Sequence, residues 1–178
     1  MAMEIWDLYD GQFHKTGRTT LRGTPLHDGE YHLAVHVWIK NSSGSFFIQK
    51  RALFKTFPGM WAVTGGSAVA GEDGLACCLR EAKEELGVAL DPARGTLFNR
   101  VTRRHSFWEI WLFEQDFEIT RLRLQPEEVS DAAWVTLDAI RDAVDDGSFV
   151  YYPYMDELFI RFEEGKESRA HAAGGKQP

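Results

Sequence analysis

Residues 66–88 read GSAVAGEDGLACCLREAKEELGV, and the rest of the chain is best read outward from them. Between Asp73 and Leu86, apolar residues recur at three- and four-residue steps (Leu75, Cys78 or Leu79, Ala82, Leu86). That period predicts an amphipathic helix with one stripe against a core. Gly87 is placed to end it in a left-handed turn. Glu81, Glu84 and Glu85 stand three and four apart, so their carboxylates gather on one face and repel one another. Arg80 reaches Glu84 at i, i+4 but cannot neutralise all three.

An acidic helix face is ordinarily just solvated. Three features distinguish this one. The opposite face is apolar, so packing dictates where the glutamates point. Glu72 adds a carboxylate ahead of the helix, and Gly65-Gly66 leaves room for backbone to approach a ligand. Clustered hard oxygen donors suit Mg²⁺, with Mn²⁺ as the alternative.

Upstream, Ile5 to Tyr9 alternates like a strand, and residues 15 to 30, rich in Gly, Thr and Pro, read as an irregular lead-in. Tyr31 to Lys40 and Ser45 to Arg51 are strand candidates joined by Asn41-Ser42-Ser43-Gly44. Trp61 to Thr64 is a short strand that Gly65-Gly66 is expected to break. Downstream, strands are expected at Leu97–Thr102, Ser106–Phe117 and Trp134-Val135, and helices at Leu137–Val144 and Met155–Glu163. The pattern is an α+β chain, an α/β/α sandwich around a mixed sheet, in one domain over residues 1–164. The Gly-rich, charged residues 165–178 are expected to be a disordered tail.

Composition narrows the function. A net charge of −7 offers no global case for nucleic-acid or membrane binding. No apolar run approaches the ~20 residues that span a bilayer. Cys77 and Cys78, the 2 cysteines, are adjacent and cannot frame a secreted disulfide scaffold, which fits a cytoplasmic setting.

The spacing Gly66, Glu72, Arg80-Glu81-Ala82, Glu84-Glu85, Gly87-Val88 resembles the signature of the Nudix hydrolases at every fixed position, with Ala82 small for its aliphatic slot. That resemblance implies the Nudix sandwich and metal-dependent hydrolysis of a small-molecule diphosphate, a nucleoside diphosphate linked to another group. It makes Glu84 and Glu85 the main metal ligands and Glu81 a third ligand or the base that activates water. The carbonyl of Gly65 or Gly66 would complete the shell, Arg80 would orient the carboxylates, and Glu72 would stand outside them or at a second metal. Many such enzymes use a further glutamate, for which Glu128 and Glu109 are candidates. Arg51 and Lys55 are candidate diphosphate clamps, since guanidinium and ammonium groups suit phosphate oxygens. Arg103-Arg104-His105 is a second basic cluster. Dimers are common among proteins with this signature, so a homodimer is compatible with it.

The front half also resembles type I isopentenyl-diphosphate isomerase, which shares the fold. The likeness runs through His27, His32, Arg51-Ala52-Leu53-Phe54-Lys55 and Pro58-Gly59-Met60-Trp61, with Glu109 matching a glutamate that assists proton transfer there. That activity needs a cysteine and a histidine where this chain has Gly66 and Ala68. His32 and His36, four apart in a strand, share a face and could look like a metal pair. A third alternative is a non-catalytic nucleotide sensor, but such domains typically lose motif glutamates, and here all are present.

Overall fold

The computed structural model describes residues 4–163; the expected tail at 165–178 lies outside them. Strand β3 (His32–Lys40), rich in β-branched and aromatic residues, runs through the middle. Around it the chain lays down β1 (Ile5–Tyr9), β2 (Lys15–Leu21), β4 (Phe46–Arg51), β5 (Trp61–Ala62) and β6 (Thr64–Ser67). Helix α1 (Gly74–Leu86), β7 (Gly95–Thr102), β8 (Ser106–Glu114), β9 (Val129–Val135) and α2 (Leu137–Asp145) follow. A third helix, α3, covers 155–163.

The large sheet has the order β5-β4-β3-β8-β7, with β6 also on β3 and β9 also on β4. β3 and β8 pair in parallel without a register break, from His32 opposite Ser106 to Lys40 opposite Glu114. A parallel pair needs a long crossover, and this one contains α1. The remaining pairs are antiparallel, so the sheet is mixed. Alternation along β3 sorts its side chains between two layers. Leu33, Val35, Val37 and Ile39 meet Cys77, Cys78, Ala82 and Leu86 of α1. Trp38 faces the opposite way, toward Leu137 and Ile140 of α2 and Leu158 and Phe159 of α3. This is the α/β/α sandwich with a mixed sheet that the sequence predicts.

Four local expectations change. The lead-in over 15–30 contains β2, which pairs antiparallel with β1. Its side chains are nearly all exposed, so no apolar alternation announces it; backbone pairing and the Lys15–Asp7 ion pair hold it. Gly65-Gly66 does not break a strand but lies inside β6, opposite His36 and Val35. Both are glycine because of close approach. A Cβ on Gly65 would lie 2.4 Å from the Val35 carbonyl oxygen, and one on Gly66 would lie 2.1 Å from a Glu81 carboxylate oxygen. The last strand starts at Val129, ahead of Trp134, and β8 ends at Glu114, before Phe117. By contrast α1 starts and stops as its sequence asks. Asp73 caps its first turn by accepting from the Ala76 amide, and Gly87, at φ 72°, closes it.

Candidate active site

Helix α1 presents its acidic residues toward β6 and the loop before it. Arg80 is their hub. Its Nε donates to Glu72 Oε1 at 2.7 Å, and its Nη1 donates to Glu81 Oε1 and to Glu84 Oε2, both at 2.9 Å. Its Nη2 reaches the Ser67 carbonyl at 3.0 Å and Glu72 Oε2 at 3.1 Å. Burial opposes the charge on Arg80, but the bonds to Glu72 and the charge of Glu81 outweigh it and hold the guanidinium protonated. Glu72 accepts in turn from the Val69 amide at 3.0 Å, which ties the loop to the helix. The structure thus brings Arg80 together with Glu72, Glu81 and Glu84, and Glu72 meets the helix through Arg80.

The three helix glutamates differ sharply in setting. Glu84 is half-exposed. Glu81 lies against Gly66, and burial raises its pKa, opposed by Arg80; Glu84 and Glu4 push it further up. Glu85 is 6% exposed, so it does not lie on the open face with Glu84. Its pKa is pushed up to about 8, first by burial, with the charges of Glu81 and Glu128 adding to it. Its one bonded partner among the described residues is neutral: Gln49 Nε2 donates to Glu85 Oε2 at 2.9 Å.

Beyond the helix, Glu128 pairs with the Lys55 ammonium, and both are close enough to Glu85 for their charges to act on it. The structure thus brings Lys55 and Glu128 to the glutamate cluster. Arg51 goes to another place. Its Nε donates to the Thr56 carbonyl at 2.6 Å. Burial raises the Tyr152 hydroxyl pKa and the Arg51 charge opposes that rise, while at His36 the same charge adds to a lowering caused first by burial. Tyr152 also feels Glu85, so Arg51 lies between an aromatic corner and the carboxylates.

Glu109 sits elsewhere too. It is 5% exposed, bonded to Arg100 Nη2 at 2.6 Å and to Trp111 Nε1 at 3.0 Å. It occupies the space that Gly74 leaves at the start of α1. At a rise of ~1.5 Å per residue that end lies roughly 16 Å along the helix from Glu85. Glu109 is therefore held in an ion pair with Arg100 at the start of α1, and the structure does not bring this candidate substrate contact to the Glu84–Glu85 end.

His36 and His32 take aromatic partners and bond to none of the helix glutamates. His36 offers its ring to Trp108, Tyr152 and Tyr154, and its Nδ1 shares a 2.6 Å hydrogen bond with the Tyr154 hydroxyl. Burial, with Arg51 nearby, lowers its pKa to about 3, so it is neutral at ordinary pH. His32 stacks on Trp6 with ring centroids 4.1 Å apart. His27 is exposed. Of the second basic cluster, Arg103 lies over the Trp108 ring, 5.0 Å from its centroid.

A divalent metal fits this residue set. Three carboxylates stand within about one turn of one helix, and the most buried of them has no cation bonded to it. Among the described residues no three His, Cys, Asp or Glu side chains converge in closed ligand geometry, because Arg80 lies between Glu81 and Glu84. Such an open arrangement suits Mg²⁺, which takes few protein ligands and keeps waters and substrate phosphates for the rest.

Sequence reasoning missed Gln49 and Thr64, both buried polar residues, and Glu4, whose charge acts on Glu81. Gln49 had a signal: an amide in the otherwise apolar run Phe46-Phe47-Ile48. Among the described residues no helix is long and apolar enough to cross a membrane.

The comparisons agree with the geometry. A family model described as NUDIX domain matches residues 30–158. An uncharacterized Nudix hydrolase of Listeria monocytogenes is 36% identical over 159 residues, covering 88% of this chain and 94% of that protein. An isopentenyl-diphosphate Delta-isomerase of Escherichia coli is 26% identical over 166 residues, covering 87% and 89%. A crystal structure from Deinococcus radiodurans superposes with a TM-score of 0.71 at 25% identity, covering 89% of this chain and 98% of that one.

Proposed function

Since this chain belongs to the Nudix hydrolase family, we propose that it hydrolyses the P–O–P linkage of a small organic diphosphate, a nucleoside diphosphate linked to another group, with Mg²⁺ bound by Glu81, Glu84 and Glu85. The observation that carries this reading is Glu85, a carboxylate nine-tenths buried whose direct partner is neutral. A buried charge without a counter-charge is costly, and a divalent ion removes that cost. The Gly66 carbonyl is a further candidate ligand, and Glu72 acts through Arg80.

In the reaction the oxygen of a water forms a bond to one phosphorus while the bond from that phosphorus to the bridging oxygen breaks. A bound metal supplies a more acidic water and charge neutralisation at the bridging oxygen. The chain's own residues do the rest. Glu81, packed on Gly66 and held by Arg80, is in this reading either the third metal ligand or the base that takes the water's proton. Lys55, carried on the loop beside Glu128, offers its ammonium to the diphosphate. Arg51 stands toward the aromatic corner, where it can meet the group that the diphosphate carries. Glu128 releases Lys55 when phosphate oxygens replace it as the partner. The proposed substrate is a small molecule, the net charge of −7 makes no global case for nucleic acid, and the cytoplasm is the expected setting.

Isomerase chemistry does not fit, despite the 26% identity to an isomerase. Its cysteine position is Gly66, where even a Cβ would overlap Glu81, and its histidine position is the buried Ala68. Cys77 and Cys78 are buried inside α1, where burial raises both thiol pKa values and keeps them protonated. The test is a pair of variants, Glu84→Gln and Glu85→Gln, assayed for Mg²⁺-dependent release of phosphate products. Retained hydrolysis in both would sink the proposal.

A further inference from the structure

We infer that Gln49 and Thr64 are positioning residues for the Glu85 carboxylate, a two-step relay from the sheet that aims one oxygen of Glu85 at the metal site. The inference rests on the proposal that Glu85 is a metal ligand.

Both side chains are buried, Thr64 completely and Gln49 at 2% exposure. Polar groups so placed cost stability unless bonded, and an apolar pair of similar size would fill the space without that cost. Their bonds run in one direction. Thr64 Oγ1 donates to Gln49 Oε1 at 3.0 Å, and Gln49 Nε2 donates to Glu85 Oε2 at 2.9 Å. A hydroxyl has one proton to give. Given to the amide oxygen, it decides which end of the Gln49 amide is nitrogen, and the nitrogen end then faces the carboxylate. With the amide reversed, its oxygen would confront the ionised carboxylate that a metal requires, acceptor against acceptor. Thr64 therefore sets Gln49, and Gln49 sets Glu85.

The elements that carry the relay are rigid. Gln49 lies on β4, paired with Ala132 of β9 and Ala62 of β5, and Thr64 lies on β6, paired with Val37 of β3. The donor's neutrality matters as much as its place. A lysine or arginine at 49 would hold Glu85 just as firmly but would cancel the charge that a cation needs. An amide fixes orientation and leaves the charge intact, as outer partners of metal ligands commonly do.

The experiment titrates Mn²⁺ into apo protein and reads free Mn²⁺ by electron paramagnetic resonance, with thermal unfolding alongside. Gln49→Leu is expected to weaken Mn²⁺ affinity about 10- to 100-fold. Thr64→Val, which exchanges a hydroxyl for a methyl, is expected to weaken it by roughly 3- to 10-fold, while Thr64→Ser, which keeps the donor, stays within about twofold. Should Gln49→Leu fail to fold, the Thr64 pair carries the test. Wild-type affinity in folded Gln49→Leu or in Thr64→Val, with Glu85→Gln weakened, would overturn the relay alone. So would a Thr64→Ser protein as weak as Thr64→Val. Wild-type affinity in Glu85→Gln would overturn the metal assignment from which the relay follows.

Discussion

Glu85, on α1, and Glu109, on β8 beside it, are both buried, at 6% and 5% exposure, yet they are satisfied in opposite ways. At the start of the helix Glu109 has a guanidinium from Arg100, an indole N–H from Trp111 and a glycine cut to fit it. Arg100 is itself stacked over the Phe13 ring at 3.5 Å. Near the end of the helix Glu85 has one amide. The first site is complete as it stands and pins the helix to the sheet. The second has no cation bonded to it, although the Lys55 charge acts on it from beside Glu128. Burial shows where a carboxylate is; only its partners show whether it is structural or awaits a ligand.

Breaking the comparison at Glu85 has the largest effect. Glu85→Gln keeps the shape and removes the charge, so kcat should fall by about 10³-fold or more, a loss of ~4 kcal/mol in the barrier. Steady-state kinetics at saturating Mg²⁺ measures it. Breaking it at the other end should cost stability instead. Arg100→Met leaves the Glu109 charge buried without its cation. A fully buried pair broken this way costs 3–5 kcal/mol, and because Arg100 is about a third exposed the expected loss is roughly 2–3 kcal/mol. Denaturant unfolding checks it, and any residual activity should keep wild-type metal dependence.

A pH titration sharpens the contrast with smaller steps. Glu85 has a folded pKa of about 8 against an ordinary 4.5. The folded state therefore holds a proton there that the unfolded chain has given up. Its contribution to apo stability is fully present below pH 4.5 and is lost as pH rises toward 8, by on the order of 1 kcal/mol per pH unit. In Glu85→Gln that slope should disappear, and with Mg²⁺ it should reverse, because metal binding needs the carboxylate ionised. Melting curves from pH 5 to 8, with and without Mg²⁺, measure both effects. The smallest effect belongs to Lys55. Lys55→Met removes a single ammonium at the site, and KM for the diphosphate should rise about tenfold, or ~1.4 kcal/mol, with kcat changed much less.

The sequence made α1 legible because its signals are local: a cap at Asp73, an apolar stripe, a glycine stop. β3 and β4 were legible for the same reason, since alternation and β-branching are written in the strand itself. β2 was not, because its side chains are exposed and what holds it to β1, backbone pairing and the Lys15–Asp7 ion pair, is tertiary. Gly65 and Gly66 were misread as strand breakers because their real constraint, Val35 on one side and Glu81 on the other, is tertiary. At the site, the motif placed Arg80, Glu81, Glu84 and Glu85 on one helix. It could not tell that Glu85 turns inward to Gln49 while Glu84 stays half-open, since residues one step apart differ by 100° around the axis. Glu109 was named because similar enzymes use a further glutamate and the isomerase has one at the matching place; its guanidinium partner, Arg100, lies nine residues away in a neighbouring strand, with nothing local to announce it. Lys55 and Glu128 were named separately, and their pairing is a product of the fold.

The most direct measurement follows ³¹P NMR spectra of wild-type protein incubated with ADP-ribose, NADH, nucleoside triphosphates, coenzyme A and isopentenyl diphosphate, in Mg²⁺ and in EDTA. The account predicts that monophosphate resonances appear from at least one nucleotide in Mg²⁺ and from none in EDTA. Rearrangement of isopentenyl diphosphate with its diphosphate intact, or every substrate left uncleaved by the folded, Mg²⁺-loaded protein, would contradict it.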